Sequence, residues 1–311
     1  MTEVGARRLP HVRWMVRNLA ARLRGVKHRL TGYRRLKVRF LAKHGHPLRL
    51  DPPVTHSEKM QHRKLFDHNP AYPRMTDRIE ARRVVDEVLG EGAADRYMVP
   101  LLAVADRFDD LNPALKDQDI IIKASHGCGW YQRVPAGSHS KWDAAKSGAQ
   151  KWSRQVYGVR RYEWAYRDLR PRLTVEQLLM DAQGEGPVDI KLYFYHGVWR
   201  FVLCGDHRSE DVRLSLYNTD LTRHPLISTG YDPIDFVMPT AFEEMQAVAS
   251  KLAAGYDMMR IDFLVLPDKW HLGELTVYNG SGMILIQPPG TDESYGKYWT
   301  PVVGRSDGPS P

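Results

Sequence analysis

The chain has 311 residues, 42% of them apolar, enough for a sizeable core in one large domain or two to three smaller lobes. Its net charge of +8 is unevenly placed: residues 1–49 hold 14 Lys and Arg and one acid, Glu3, leaving a mildly acidic body with 31 basic and 36 acidic side chains. An acidic body argues against nucleic-acid binding, no run approaches the ~18 apolar residues of a membrane span, and two distant cysteines, Cys128 and Cys204, exclude a disulfide framework and point to a reducing compartment.

Residues 10–43 read as a basic amphipathic helix. Val12, Met15, Leu19, Leu23, Val26, Leu30, Tyr33 and Phe40 recur at three- and four-residue steps, with arginines and lysines on much of the rest. Gly25 and Gly32 are expected to weaken the helix without ending it. Such a helix either lies on an anionic membrane surface or docks its apolar stripe on the body with its arginines in water. No apolar secretory h-region accompanies the arginines.

A Pro-containing linker follows at 46–53. Helices are expected over 57–68 and 75–89, the second capped by Thr76. Residues 97–105 form a strand broken by Pro100, and 119–124 a short buried strand ending in Lys123. A small loop carries Gly127 and Gly129. Residues 141–157 read as a Trp-bearing helix and 173–180 as a strand running into a Gly-rich break. A hairpin pairs strands at 188–195 and 198–204 across His196-Gly197, with a further strand expected at 211–217 and a helix at 242–254. The tail after Thr300 reads as disordered. Trp130, Trp142, Trp152 and Trp164 either pack cores or line a sugar-binding cleft. Hairpins without regular βαβ units predict an α+β fold with largely antiparallel sheets.

The last hairpin bears the most telling pair. Strands at 258–266 and 271–278 flank Pro267-Asp268-Lys269, which supplies turn chemistry. With the turn centred on Asp268, Asp262 lies opposite Glu274. The period of two puts Arg260, Asp262 and Leu264 on one face, and Leu272, Glu274 and Thr276 on one face of the partner. Opposed carboxylates repel unless a cation sits between them. Oxygen ligands suit Mg²⁺ or Mn²⁺ rather than zinc. The bland alternative is an exposed edge with both acids in water.

Other positions carry weaker signals. Lys123 ahead of Gly127 and Gly129 suits a phosphate loop, or is a surface lysine beside a turn. Glu176, Gln177, Leu178 and Leu179 end a strand at a break, where a hinge can hold adenine. Lys191 points away from the apolar Ile190 and Leu192, together with Asp189. Arg208 and Arg260 either stabilise transferred phosphate charge or form structural ion pairs. His126 is a loop histidine, either a phosphate contact or polar surface.

The order of these features resembles the ATP-grasp fold, and within it the TupA-like branch named for teichuronopeptide biosynthesis. The resembling segments are EKMQHRKLFDHNPAYPRMTDRIEARRVV (58–85), DIIIKASHGCG (119–129), YEWAYRDLRPRLTVEQLL (162–179), DIKLYFYHG (189–197), DHR (206–208) and GYDMMRIDFLVLPDKWHLGELTVYNGSG (255–282). The resemblance implies α+β lobes clamping ATP behind the basic helix. It suggests a helix and linker at 1–50, an N-terminal subdomain at 51–118, lobes at 119–180 and 181–300, and a tail at 301–311. It further implies phosphate contacts from Lys123 and from Arg78 or Arg82. The loop with His126, Gly127 and Gly129 would close over the phosphates, and Glu176 to Leu179 would hold adenine. Lys191, Arg208 and Arg260 would serve the transferred phosphate, and Asp262, Glu274 and Thr276 magnesium. Two positions depart from the family pattern. Thr276 stands where an Asn ligand is common, and Arg78 where a Lys follows Asp77.

The expected activity is an ADP-forming carboxylate–amine ligase using ATP and Mg²⁺, in cell-surface polymer assembly. The enzyme would be cytoplasmic, near the membrane through residues 10–43. Phosphoryl transfer to a sugar or polyol hydroxyl is the alternative, and a non-catalytic membrane- or polymer-binding adaptor the third reading.

Overall fold

The computed structural model describes residues 9–208, 211–224, 232–286 and 288–302. The expected tail from 303 onward lies outside them. The chain divides into two compact units. One comprises residues 1–34, 76–81 and 99–178; the other comprises 35–75, 82–98 and 179–311. Residues 51–118 are thus shared between the units.

The first unit is built on a four-stranded antiparallel sheet in the order β1-β4-β2-β3. Its strands are β1 (Leu101–Ala105), β2 (Ile120–Ala124), β3 (Tyr131–Val134) and β4 (Leu173–Gln177). The sequence reading missed β3, whose residues Tyr131-Gln132-Arg133-Val134 lack an apolar run. One face of the sheet packs Ile120, Ile122 and Val175 against a helix at His139–Trp152. Trp152 belongs to this core, and Trp130 and Trp142 pack against it. Three of the four tryptophans considered for a sugar cleft therefore belong to this core or pack on it.

Helix α1 (Leu9–Leu30) also belongs to this unit, and α2 (Arg34–His44) opens the next. The single helix expected over 10–43 is broken. Gly32 takes a left-handed φ of +56°, its N–H donates to Arg29 O (3.0 Å), and Tyr33 N–H reaches back to His28 O (2.8 Å). That pair of bonds is a Schellman stop, for which Gly at the left-handed position is the usual requirement. Gly25 stays inside α1, as expected.

The second unit contains a five-stranded antiparallel sheet, β7-β6-β5-β8-β9. Its members are β5 (Val188–Tyr195), β6 (Val198–Asp206), β7 (Arg213–Asn218), β8 (Met258–Val265) and β9 (Trp270–Thr276). Ile190 and Leu192 of β5, Ile261 and Phe263 of β8, and Leu272 and Leu275 of β9 are all buried. A helix at Phe242–Ala253 packs on β8 and β5 through the apolar face that its Met245, Val248 and Leu252 spacing predicts.

Helix α3 (His56–Phe66) starts with a capping box: Thr55 Oγ1 accepts from Glu58 N, and the Glu58 carboxylate accepts from Thr55 N. Two short helices follow, α4 (Ala71–Thr76) and α5 (Arg78–Leu89). Thr76 closes α4 rather than capping the next helix. Asp77 takes that role, accepting from Ile79 N (2.8 Å) and Glu80 N (3.2 Å).

Candidate active site

In the second unit, β5, β8 and β9 bring their polar side chains into rows. Lys191 pairs with Asp262, and Asp262 with Glu274, so one row crosses three strands. The next row is Tyr193–Arg260–Thr276. Asp262 does stand opposite Glu274, but by a route the sequence did not predict. Val265 pairs with Trp270, Leu264 with His271 and Phe263 with Leu272, and only then does Asp262 meet Glu274. Gly273 is left over as a bulge. Without it, Asp262 would face Gly273 and Glu274 would point to the other side.

The bulge also corrects the expected faces. Leu272 lies opposite Phe263 in the core, fully buried, and does not share a face with Glu274. A three-residue turn without a bulge would also oppose the two acids, but would put Leu272 among the polar groups. Burying a leucine is worth about 1.5–3 kcal/mol, which favours the bulged arrangement.

Arg260 dominates the electrostatics of this face. Its Nε donates to Asp262 Oδ1 at 2.7 Å and its Nη2 to Asp262 Oδ2 at 2.6 Å, a two-pronged pairing. The same guanidinium reaches Thr276 Oγ1 (3.2 Å) and Asn279 Oδ1 (2.5 Å). Burial opposes the Arg260 charge, but Asp262, Tyr193 and Glu274 raise its pKa above the ordinary arginine value. The positive charge that two opposed acids require is therefore present as a side chain. One row along, Asp189 accepts from Lys191 Nζ (3.2 Å) and His207 Nε2 (3.1 Å). Burial works against its charge, but the His207 hydrogen bond and the Lys191 charge hold Asp189 below the usual carboxylate range.

Arg208 is engaged at a different place. It forks Asp206 with Nε and Nη2, both at 2.9 Å, and Arg213 joins the same carboxylate. The Arg208 hydrogen bond is the main force that lowers the Asp206 pKa.

The turn that carries Asn279 is held from α3. Gln61 Nε2 donates to Ser281 O and Gly282 O, and Lys64 Nζ to Ser281 O (2.7 Å). Arg63, fully buried, donates to Met258 O and Val277 O at the ends of β8 and β9, pairs with Asp257, and stacks on Trp299. An amphipathic-helix reading does not find these residues, because α3 buries charged groups on most of its sides. The density of Lys, Arg, Glu and Gln around Met60 was the only signal.

In the first unit, Lys123 and Glu176 meet. Lys123 Nζ lies 2.5 Å from Glu176 Oε2, with both side chains largely buried. They come from adjacent strands, where Lys123 pairs with Thr174 and Glu176 with Ile121. The lysine expected at the phosphates and the carboxylate expected at the hinge are thus partners here. The hinge N–H groups are also committed: Gln177 N donates to Pro100 O and Leu178 N to Asp119 O, both at 3.0 Å. The boundary between the units falls between Leu178 and Leu179.

His126 corrects its sequence reading. It is 1% exposed, its Nε2 lies 3.2 Å from Trp152 O, and its ring sits edge-on to Trp130. Burial lowers its pKa to about 4, so the ring is neutral at pH 7. The His126 side chain is an interior group and not a surface contact. Gly127 is needed for packing, since a Cβ there would come within 2.7 Å of the Trp130 ring. Gly129 is needed for its φ of +73°. Arg78 N–H donates to Ser125 O, tying α5 to the loop, whereas the Arg82 guanidinium holds Asp95 (2.9 Å) and Ala94 O.

The model of a family described as TupA-like ATPgrasp matches residues 58–300. The chain belongs to the TupA-like ATP-grasp family. Solved structures similar to it include a D-alanine–D-alanine ligase from Bacillus anthracis complexed with ATP (11% identity, TM-score 0.40, 66% of this chain and 55% of that one). Others are the ATP-grasp ligase PsnB complexed with minimal precursor (10%, 0.39, 74% and 63%) and the D-cycloserine synthetase DcsG (13%, 0.40, 74% and 70%). The chain spans 55% and 63% of the first two of these. No curated protein matches it.

For this ATP-grasp chain the donor types suit magnesium, although both Asp262 oxygens accept from Arg260 and that fork has to open before they bind a metal. Asp262 and Glu274 supply two opposed carboxylates, and Mg²⁺ is commonly held by one or two carboxylates with phosphate oxygens and water. Among the described residues no group of three or more His, Cys, Asp or Glu is placed to hold a metal. Thr276 Oγ1, which accepts from Arg260, is neutral and a weaker metal ligand than a carboxylate oxygen.

Proposed function

We propose that the protein is an ADP-forming, ATP-dependent carboxylate–amine ligase that uses Mg²⁺. The observation that carries this reading is the Lys191–Asp262–Glu274 row with Arg260 beside it, in a chain of the ATP-grasp family. Asp262 and Glu274 would hold magnesium, and bound there it would draw charge from the β- and γ-phosphates.

A substrate carboxylate oxygen attacks the γ-phosphorus of ATP. The bond to the bridging oxygen breaks and ADP leaves with its electron pair. Lys191 and Arg260 offset charge on the transferred group. An amine then attacks the acyl phosphate carbon, phosphate departs, and the amine proton is lost to give the amide. Lys123 exchanges Glu176 for a phosphate oxygen, and the released Glu176 is free to take adenine or ribose. With the Gln177 and Leu178 N–H groups already bonded, other hinge groups take the rest of the base, Leu179 among them. Arg78 and the 125–129 backbone serve the phosphates of ATP, while Arg208 acts through the Asp206 cluster at the β6 end. The acceptors belong to cell-surface polymer assembly, with peptide or lipid-linked carboxylates and amines as the substrate class.

ADP release measured against panels of carboxylates, amines and sugars tests this. Turnover that requires both a carboxylate and an amine is expected, with Asp262→Asn and Glu274→Gln inactive. ADP formed with a hydroxyl acceptor alone, together with a stable phosphorylated product by mass spectrometry, establishes phosphoryl transfer instead. The Arg260 fork on Asp262 and the neutral Thr276 favour a second reading, a non-catalytic adaptor. Absence of Mg-ATP binding in calorimetry would select it.

A further inference from the structure

We propose that the outward face of α1 binds an anionic lipid bilayer. Val12, Met15, Val16, Leu19, Leu23 and Val26 are each between 51% and 64% exposed. At ~100° per residue they fall, with Leu30, within a single arc of about 100°. A contiguous apolar stripe of this size left in water marks an interaction surface.

The opposite side of the same helix is what holds it to its unit. Asn18 and Ala21 are buried, and Asn18 Nδ2 donates to Arg167 O (2.6 Å) and to Asp168 Oδ1 (3.1 Å). Arg17 donates to Arg154 O, and His28 meets the ring of Tyr162. Docking by the polar side excludes, for α1, the arrangement in which the apolar stripe covers the body. The stripe is presented outward by a fixed scaffold.

Charge selects the partner. Arg13, Arg24 and Lys27 flank the stripe on one edge and Arg29 on the other, while Arg22 on that side pairs with Asp168 at 3.0 Å. No acid occurs between Glu3 and Asp51. Long basic side chains beside an apolar face lay their stems along it and turn their charges toward headgroups. A second copy of this helix would oppose like charges. A groove that enwraps a helix is also unsuited, because Asn18 and Ala21 on the other side of α1 are already buried. An open, flat, negatively charged surface fits both constraints.

This proposal is independent of the ligase reading and is tested without substrate. The full-length protein is floated with phosphatidylcholine vesicles and with phosphatidylcholine–phosphatidylglycerol vesicles. Binding at least about tenfold stronger to the anionic vesicles, weakened by salt, is expected. The Leu19→Ser/Leu23→Ser variant changes only exposed positions of α1. It should lose about tenfold in vesicle binding with an unchanged circular dichroism spectrum and unchanged nucleotide turnover. Absence of binding, equal binding to neutral vesicles, or an unaffected variant overturns the proposal. A concentration-dependent mass in light scattering that the variant abolishes assigns the stripe to a second copy instead.

Discussion

Arg260 is placed to act as a two-pronged donor, because both of its forked bonds end on Asp262. Lysine keeps the charge but cannot reproduce the fork. Arg260→Lys is expected to lower kcat for ADP release by about a hundredfold while changing Mg-ATP affinity far less, as steady-state kinetics and calorimetry would show. His126 gives a stability prediction with a definite sign. Its folded pKa of about 4 lies below the ordinary 6.5, so the unfolded chain binds the extra proton between those values. Stability from this group is full above pH 6.5 and is lost as pH falls toward 4, by up to about 3 kcal/mol. Urea unfolding at several pH values should show a shallower acid dependence in His126→Gln than in the parent. The sequence made the two acids legible because alternation and a turn sufficed to oppose them. It left His126 at the surface because nothing in Ser125-His126-Gly127 reports that Trp130 and Trp152 close over that ring.

Helices and strands were read where their apolar period was intact and misplaced where polar chemistry sets the boundary. β5 was found at its observed bounds because Ile190, Leu192 and Phe194 alternate with polar residues. The break in the N-terminal helix was missed because Gly32 ends it through left-handed backbone, and periodicity does not register φ. The Asp77 cap was missed for a related reason, since Thr76 and Asp77 are both good caps and only the turn closing α4 chooses between them. The capping box of α3 is open to direct test. Thr55→Ala removes the acceptor for Glu58 N and should cost about 1 kcal/mol, read as a lower urea midpoint with an unchanged m value.

At the level of the whole molecule, neither compact unit is a continuous stretch of chain. The polypeptide passes between them after residues 34, 75, 81, 98 and 178. The five-stranded sheet therefore depends on α3, which enters far earlier in sequence. Arg63 spans from β8 to β9 and neutralises Asp257, and Lys64 and Gln61 hold the turn at Ser281. A fragment of residues 179–311 is expected to lack a cooperative unfolding transition, since Asp257 would be buried without its cation. Co-expression with residues 35–98 should restore one, as followed by circular dichroism on heating. Among the described residues no helix is long and apolar enough to cross a membrane. The charge division between the first 49 residues and the rest is consistent with α1 acting as an attachment surface for a body of opposite sign.

Gly273 has a consequence for how this hairpin tolerates changes in length. The half of β9 before it keeps step with the core, and the half after it keeps step with Arg260 and Asp262. Gly273 itself has no counterpart on β8, so it is a spare link between two phased segments. Removing it leaves Leu272 opposite Phe263 and Glu274 opposite Asp262. Loss of Leu275 would instead turn Thr276 away from Arg260. The acidic pair thus sits beside a point where the strand can shorten by one residue and keep its alignment.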